Sequence, residues 1–348
     1  MAEKTNSAMM YQQPEGIKIS VQIPSDVSDE YLQFLQQMGV KYCYTWVNDE
    51  QASYEFLNAL KQRTESFGIK LYNVGTMNLG KSESILLGKP DRDEVIGRFQ
   101  EFLHTLSTLD IHTTTVTWEP NNTLSTTPDG RVVSDRLGGH WANTSTRGGA
   151  KARIVDMAVM EQAPWTHGRQ YTKEEIWDNF TYFAKKLLPA AEKFGVRIAL
   201  HPNDPPVDSC LGIATLIQCY KDYQRAFEIA DSDYLGMEFC VGCWLEGGEK
   251  FGNLMENISQ FVKQKKVFIV HFRNVNNTLP CFTETFVDDG YQDMYQVMKA
   301  FVKAGYNGTL TMDHTPQMVP MAGSVGETAY AVGYLKALLQ AAEDEAAM

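Results

Sequence analysis

Arg197-Ile198-Ala199-Leu200-His201-Pro202-Asn203-Asp204-Pro205-Pro206 is the run from which the architecture of this chain follows. A short apolar run of β type ends in a histidine, and the prolines behind it bar the chain from continuing as a regular strand or entering a helix at once. The strand therefore stops where its polar atoms begin. The same arrangement returns in Leu235-Gly236-Met237-Glu238-Phe239-Cys240, in Lys266-Val267-Phe268-Ile269-Val270-His271 and in Gly308-Thr309-Leu310-Thr311-Met312-Asp313-His314. Four consecutive strands each end in a residue able to bind a metal.

Working outward, segments 17–23, 42–47, 70–74 and 113–118 read as four earlier strands, the last rich in β-branched residues. Helical stripes separate them: Tyr31, Leu32, Leu35 and Met38; Phe56, Leu57 and Leu60; Ile96, Phe99, Phe102, Leu103 and Leu106. A capping box, Thr172 with Glu175, opens a fourth helix that Gly195 ends. A fifth helix is expected on Ile213, Leu216, Ile217, Tyr220 and Phe227, with three more at 250–265, 290–304 and 325–342. Eight strands alternating with eight helices force parallel pairing and are the number that closes a (β/α)8 TIM barrel. A doubly wound sheet competes, but no G-x-G-x-x-G follows the first strand. We therefore expect a flexible tail at 1–15 and a single barrel domain at 16–348. The stretch 119–171, between the fourth strand and its helix, is expected to be a lid or binding loop.

Composition narrows the function. The 31 Lys plus Arg against 43 Asp plus Glu give a net charge of -12 with no basic stripe, which argues against nucleic acid. No apolar run approaches the roughly 20 residues of a membrane span. The start of the chain is polar and lacks a secretory core, so a soluble cytoplasmic protein is expected. Six cysteines in 348 residues are too sparse for a disulfide scaffold and read as reduced thiols. The Cys240-x-x-Cys243 spacing could mark a redox pair, but Cys240 is better explained as a ligand. A homo-oligomer is compatible with all these features and required by none.

In a barrel, the carboxyl ends of the strands share one mouth, so His201, Cys240, His271 and Asp313 should converge there. Two imidazoles, a thiolate and a carboxylate are a plausible shell for a divalent ion, and softness alone favours Zn²⁺, Fe²⁺ or Co²⁺ over Mn²⁺. The bland alternative is four unrelated polar strand ends. Glu238, on the same face as Cys240, would then be either a partner of the ligands or a buried charge paired elsewhere. Trp118 and Glu119 are expected on one wall of the pocket.

The motifs His201-Pro202-x-Asp204-Pro205-Pro206, Phe239-Cys240-x-Gly242, Val270-His271-Phe272-Arg273-Asn274-Val275, Phe282-x-Glu284, Asp293-Met294, Asp313-His314 and Tyr334-Leu335, with the lead-in Glu174 to Asn179, resemble the mannonate dehydratases. These are metal-dependent lyases of the xylose-isomerase-like barrel group, and the resemblance covers roughly the C-terminal half. It implies Mn²⁺ on His201, Cys240, His271 and Asp313, and loss of water from a sugar acid such as D-mannonate to give a 2-keto-3-deoxy acid. It also places His314 and Arg273 in the chemistry, and Arg273, Asn274, Asp204 and Glu284 at the substrate. Arg273 would clamp a carboxylate, its alternative being a pair with a structural acid. Glu284 would touch substrate or be a solvated loop carboxylate.

The chain departs from the family pattern at Asn203, Thr283, Val287 and Thr311-Met312, and it lacks a tyrosine near Met321 to Gly323 that takes part in proton transfer. His140, His167, Tyr171 and Tyr330 are the candidates to replace it. A metal-dependent sugar isomerase or epimerase of the same barrel group, and a non-catalytic sugar-acid-binding protein, are the alternatives to the lyase.

Overall fold

The computed structural model describes residues 15–140 and 142–348; of the expected tail, all but Glu15 lies outside the described residues. Eight strands form the central sheet: β1 (Lys18–Gln22), β2 (Tyr42–Val47), β3 (Lys70–Thr76), β4 (Thr113–Thr117), β5 (Arg197–His201), β6 (Leu235–Cys240), β7 (Val267–His271) and β8 (Thr309–Thr311). Every pairing is parallel, in the order β3-β2-β1-β8-β7-β6-β5-β4. That order is a ring cut between β3 and β4. Side chains bridge the cut, for the Thr114 hydroxyl donates to the Val74 carbonyl (2.8 Å) and Asn73 Nδ2 to Thr115 Oγ1 (3.1 Å). The Thr114 and Thr115 hydroxyls find partners on β3, which helps a strand as polar as β4 lie buried.

The helices are α1 (Asp29–Gln37), α2 (Tyr54–Ser66), α3 (Arg92–Thr108), α4 (Lys173–Phe194), α5 (Tyr220–Ala230), α6 (Leu254–Lys263), α7 (Met294–Ala304) and α8 (Gly323–Ala346). Their buried stripes pack on the outside of the ring; Trp118, for example, meets Phe180 and Phe183 of α4 edge-on at 5.4 and 5.5 Å. No helix among the described residues is long and apolar enough to cross a membrane.

Two expectations need correction. The fifth helix begins only at Tyr220; Ile213 instead pairs with Cys210 in a small hairpin, and Leu216 and Ile217 reach the core from irregular chain. Helical spacing of apolar residues was there, yet the burial came from a loop folded over the barrel. The stretch 119–171 is also more ordered than a plain loop. Its strands Ala142–Ser145 and Lys151–Asp156 join Cys281–Thr285 and Asn274–Val275, from the connection after β7, in one four-stranded antiparallel sheet. The two long insertions thus fuse over one side of the mouth.

Candidate functional site

Each ligand candidate is placed by the strand that carries it. β5 ends at His201, whose Nδ1 donates to the Pro202 carbonyl at 2.6 Å and so leaves Nε2 for the mouth. β6 and β7 shift register between Met237 and Glu238, and the shift sets Cys240 level with His271. Without it Cys240 would face Val270. Asp313 lies two residues beyond β8 in the left-handed region (φ 56°), a conformation costing of order 1 kcal/mol that aspartate tolerates better than most residues.

The result is a gathering: one donor atom from each of His201, Cys240, His271 and Asp313 lies within 4.8 Å of the other three. The chemistry suits a cation. Both ring nitrogens of His271 are buried without a hydrogen bond, although Nε2 lies 2.8 Å from Glu238 Oε1 and Nδ1 lies 3.1 Å from Asp313 Oδ1. Those separations lack hydrogen-bond angles. Burial disfavours a thiolate at Cys240, but the Cys243 thiol donating to it, the Arg273 guanidinium and the two imidazoles outweigh burial and hold its pKa well below the ordinary value. Burial likewise opposes charge on His201, yet Cys240 raises its pKa to about 9. A thiol with so low a pKa between two imidazoles suits a divalent ion.

Behind the cluster lies a buried charge network. Arg273, 1 % exposed, donates through Nε to Asp313 Oδ2 (2.8 Å), through Nη2 to Asp204 Oδ2 (2.6 Å), and through Nη1 to Glu246. The expected substrate clamp is therefore spent on the protein's own acids, and Arg273 does not border the cavity. Gly242 makes room for it, since a Cβ there would overlap the guanidinium. Asn274 is also displaced from its expected role: its side chain donates to the Val287 and Gln292 carbonyls (3.2 and 3.0 Å), tying the loop after β7. Asp204 does border the cavity, with its oxygens engaged by Arg273 and Arg153. Glu284 stands back from it and accepts from His314 Nδ1 at 2.8 Å. His314 keeps its other edge toward the mouth. Burial opposes its protonation, but Asp313 and Glu284 hold its pKa above the ordinary value; a cation on Asp313 would leave that work to Glu284.

The cavity at the mouth measures about 250 Å³ and is bordered by His201, His271, Asp313, His314, Glu119 and Glu238 among others. Trp118 lies behind its wall. His140, His167, Tyr171 and Tyr330 do not border it. Arg153, fully buried at 0 % exposure, was missed from sequence: Nη2 meets Asp204 Oδ1 at 2.7 Å and Nη1 meets Glu284 Oε1 at 3.1 Å. Its signal was a lone arginine in the alternating run Ala152-Arg153-Ile154-Val155. Glu246 was missed too, and burial pushes its carboxyl well above the usual range despite the nearby guanidiniums.

A family model described as D-mannonate dehydratase (UxuA) matches residues 155–348. A mannonate dehydratase of Thermotoga petrophila is 27% identical over 286 residues, covering 75% of this chain and 77% of that protein. One from Streptococcus agalactiae is 27% identical over 323 residues, covering 83% and 86%. Among solved structures, the mannonate dehydratase from Streptococcus suis serotype 2 superposes with a TM-score of 0.78 at 22% identity, covering 96% of this chain and 95% of that one. A xylose isomerase domain protein from Planctomyces limnophilus follows the same barrel with a TM-score of 0.62 at 13% identity, covering 96% and 100%.

Proposed function

The chain belongs to the D-mannonate dehydratase family, and from that premise we propose that it is a hydro-lyase removing water from a sugar acid, D-mannonate first, to give a 2-keto-3-deoxy acid. The observation that carries the reading is the meeting of His201, Cys240, His271 and Asp313 within 4.8 Å, three of which border the cavity. These four would hold one divalent ion, for which the family favours Mn²⁺ and the thiolate would also admit Zn²⁺, Fe²⁺ or Co²⁺. When bound, the ion supplies Lewis-acid stabilisation of the negative charge that grows on the substrate's carboxylate as the neighbouring carbon loses its proton.

The departing group and the alignment of the site fall to the chain's own residues. His314, held through Nδ1 by Glu284, borders the cavity and is our assignment for the acid that turns the departing hydroxide into water. Arg273, expected at the substrate, is assigned instead to positioning Asp313, and Asp204 to holding that guanidinium in place. The fused insertions over the mouth would limit water around the reacting carbons.

The test is direct. Purified protein with Mn²⁺ and D-mannonate should form a 2-keto-3-deoxy acid. Formation of an isomer without dehydrated product would assign the protein to sugar isomerisation or epimerisation instead, and tight binding without turnover under every divalent ion would make it a sugar-acid-binding protein.

A further inference from the structure

With Arg273 spent on internal acids, the arginine expected to clamp the substrate's carboxylate is not available to it, and we propose that Lys81 reads the carboxylate instead. The proposal rests on the sugar-acid reading above. Lys81 is the one lysine or arginine bordering the cavity among the described residues; the carboxylates of Glu119, Asp135, Asp204, Glu238 and Asp313 border it too. Its ammonium forms no ion pair within 4 Å with any of them. It donates to Asn122 Oδ1 at 2.8 Å and lies 5.2 Å from the centre of the Trp46 ring.

The position is built. Lys81 follows the short helix Met77–Gly80 that caps β3, and Gly80 lets this turn lie against β4, where a Cβ would come within 2.5 Å of the Thr115 carbonyl. Arg136 Nη2 fixes the Lys81 carbonyl at 2.8 Å. Asn122, which receives the ammonium, is itself buried in the left-handed region (φ 63°). β3 stands across the ring from β6 to β8, and Lys81 borders the same cavity as His201, His271 and Asp313. In a cavity lined by five acidic residues, an ammonium with no ion-pair partner is a favourable place for an anion.

Binding separates this role from turnover. In the Mn²⁺-loaded full chain, calorimetry should show Lys81→Met weakening D-mannonate about tenfold or more, the usual loss for a charge-assisted hydrogen bond. Neutral D-mannitol and Mn²⁺ itself should bind as in the unaltered protein. Lys81→Arg should restore most of the D-mannonate affinity. Lys81→Gln, which can still donate to Asn122, should bind D-mannonate as poorly as the Met variant. The proposal falls if either uncharged variant keeps full D-mannonate affinity, if acid and alditol weaken equally, or if the unaltered protein does not prefer the acid. Absence of dehydration in the unaltered protein would remove the lyase assignment while this comparison still decides the role of Lys81.

Discussion

Cys240 and His271 carry the sharpest expectations at the residue scale. Cys240→Ser and His271→Ala should each lose the divalent ion while keeping the barrel, because residues at the mouth contribute function more than stability. Metal analysis checks the first half and circular dichroism the second. The unaltered protein should gain roughly 2.7 kcal/mol from an ion present at a hundred times its Kd, a gain seen as a rise in unfolding temperature that both variants lack. A second expectation concerns Glu284, whose oxygen orients His314. Glu284→Gln should lower kcat about 10- to 100-fold with little change in ion affinity, the usual effect of removing a partner that orients a working histidine. Steady-state kinetics beside metal analysis would expose a loss of the ion as the true cause. At this scale the gathering of His201, Cys240, His271 and Asp313 was legible, because each stands at or just past a strand end of the barrel. The fate of Arg273 was not, since alternation gives the face of a side chain but not which acids converge on it; Glu246 and Asp204 arrive from other elements.

Elements were most legible where caps and periodicity agree. α4 has both: Thr172 Oγ1 accepts from the Glu175 amide, the Glu175 carboxylate accepts from the Thr172 amide, and Gly195 takes the left-handed end at φ 67°. Thr172→Ala should therefore cost about 1 kcal/mol, read as a lower urea midpoint, and leave the ion's affinity untouched. A loss of metal binding in that variant would mean that α4 bears on the site more directly than its packing implies. α5 shows the opposite case, for the apolar residues before it kept helical spacing while the chain formed a hairpin and loop. The register shift in β6 was hidden for a related reason. It changes which residue on β7 faces Cys240, and the extra residue, Phe268, lies within an unbroken apolar run that gives no sign of it.

For the whole molecule, counting eight strand-helix units was enough to reach the barrel, because closure is a property of number and pairing direction. The sheet formed by the two insertions was out of reach, since Ile154 pairs with Thr283 far along the chain and neither strand is long enough to declare itself. That sheet delivers Arg153 to the centre of the charge network, where it touches Asp204 from the β5 loop and Glu284 from its own sheet. Arg153 thereby fastens the cover to the barrel. Removing one member of a buried pair leaves charge without a partner, so Arg153→Met should cost roughly 3–5 kcal/mol in chemical denaturation. Arg153→Lys should recover only part of this, because a single ammonium cannot serve two carboxylates and the Leu124 carbonyl in the geometry of the guanidinium fork. If Arg153→Met unfolds at the same denaturant concentration as the unaltered protein, the network does not secure the cover, and the fused sheet must be held by the packing of Phe282 and Val155 alone.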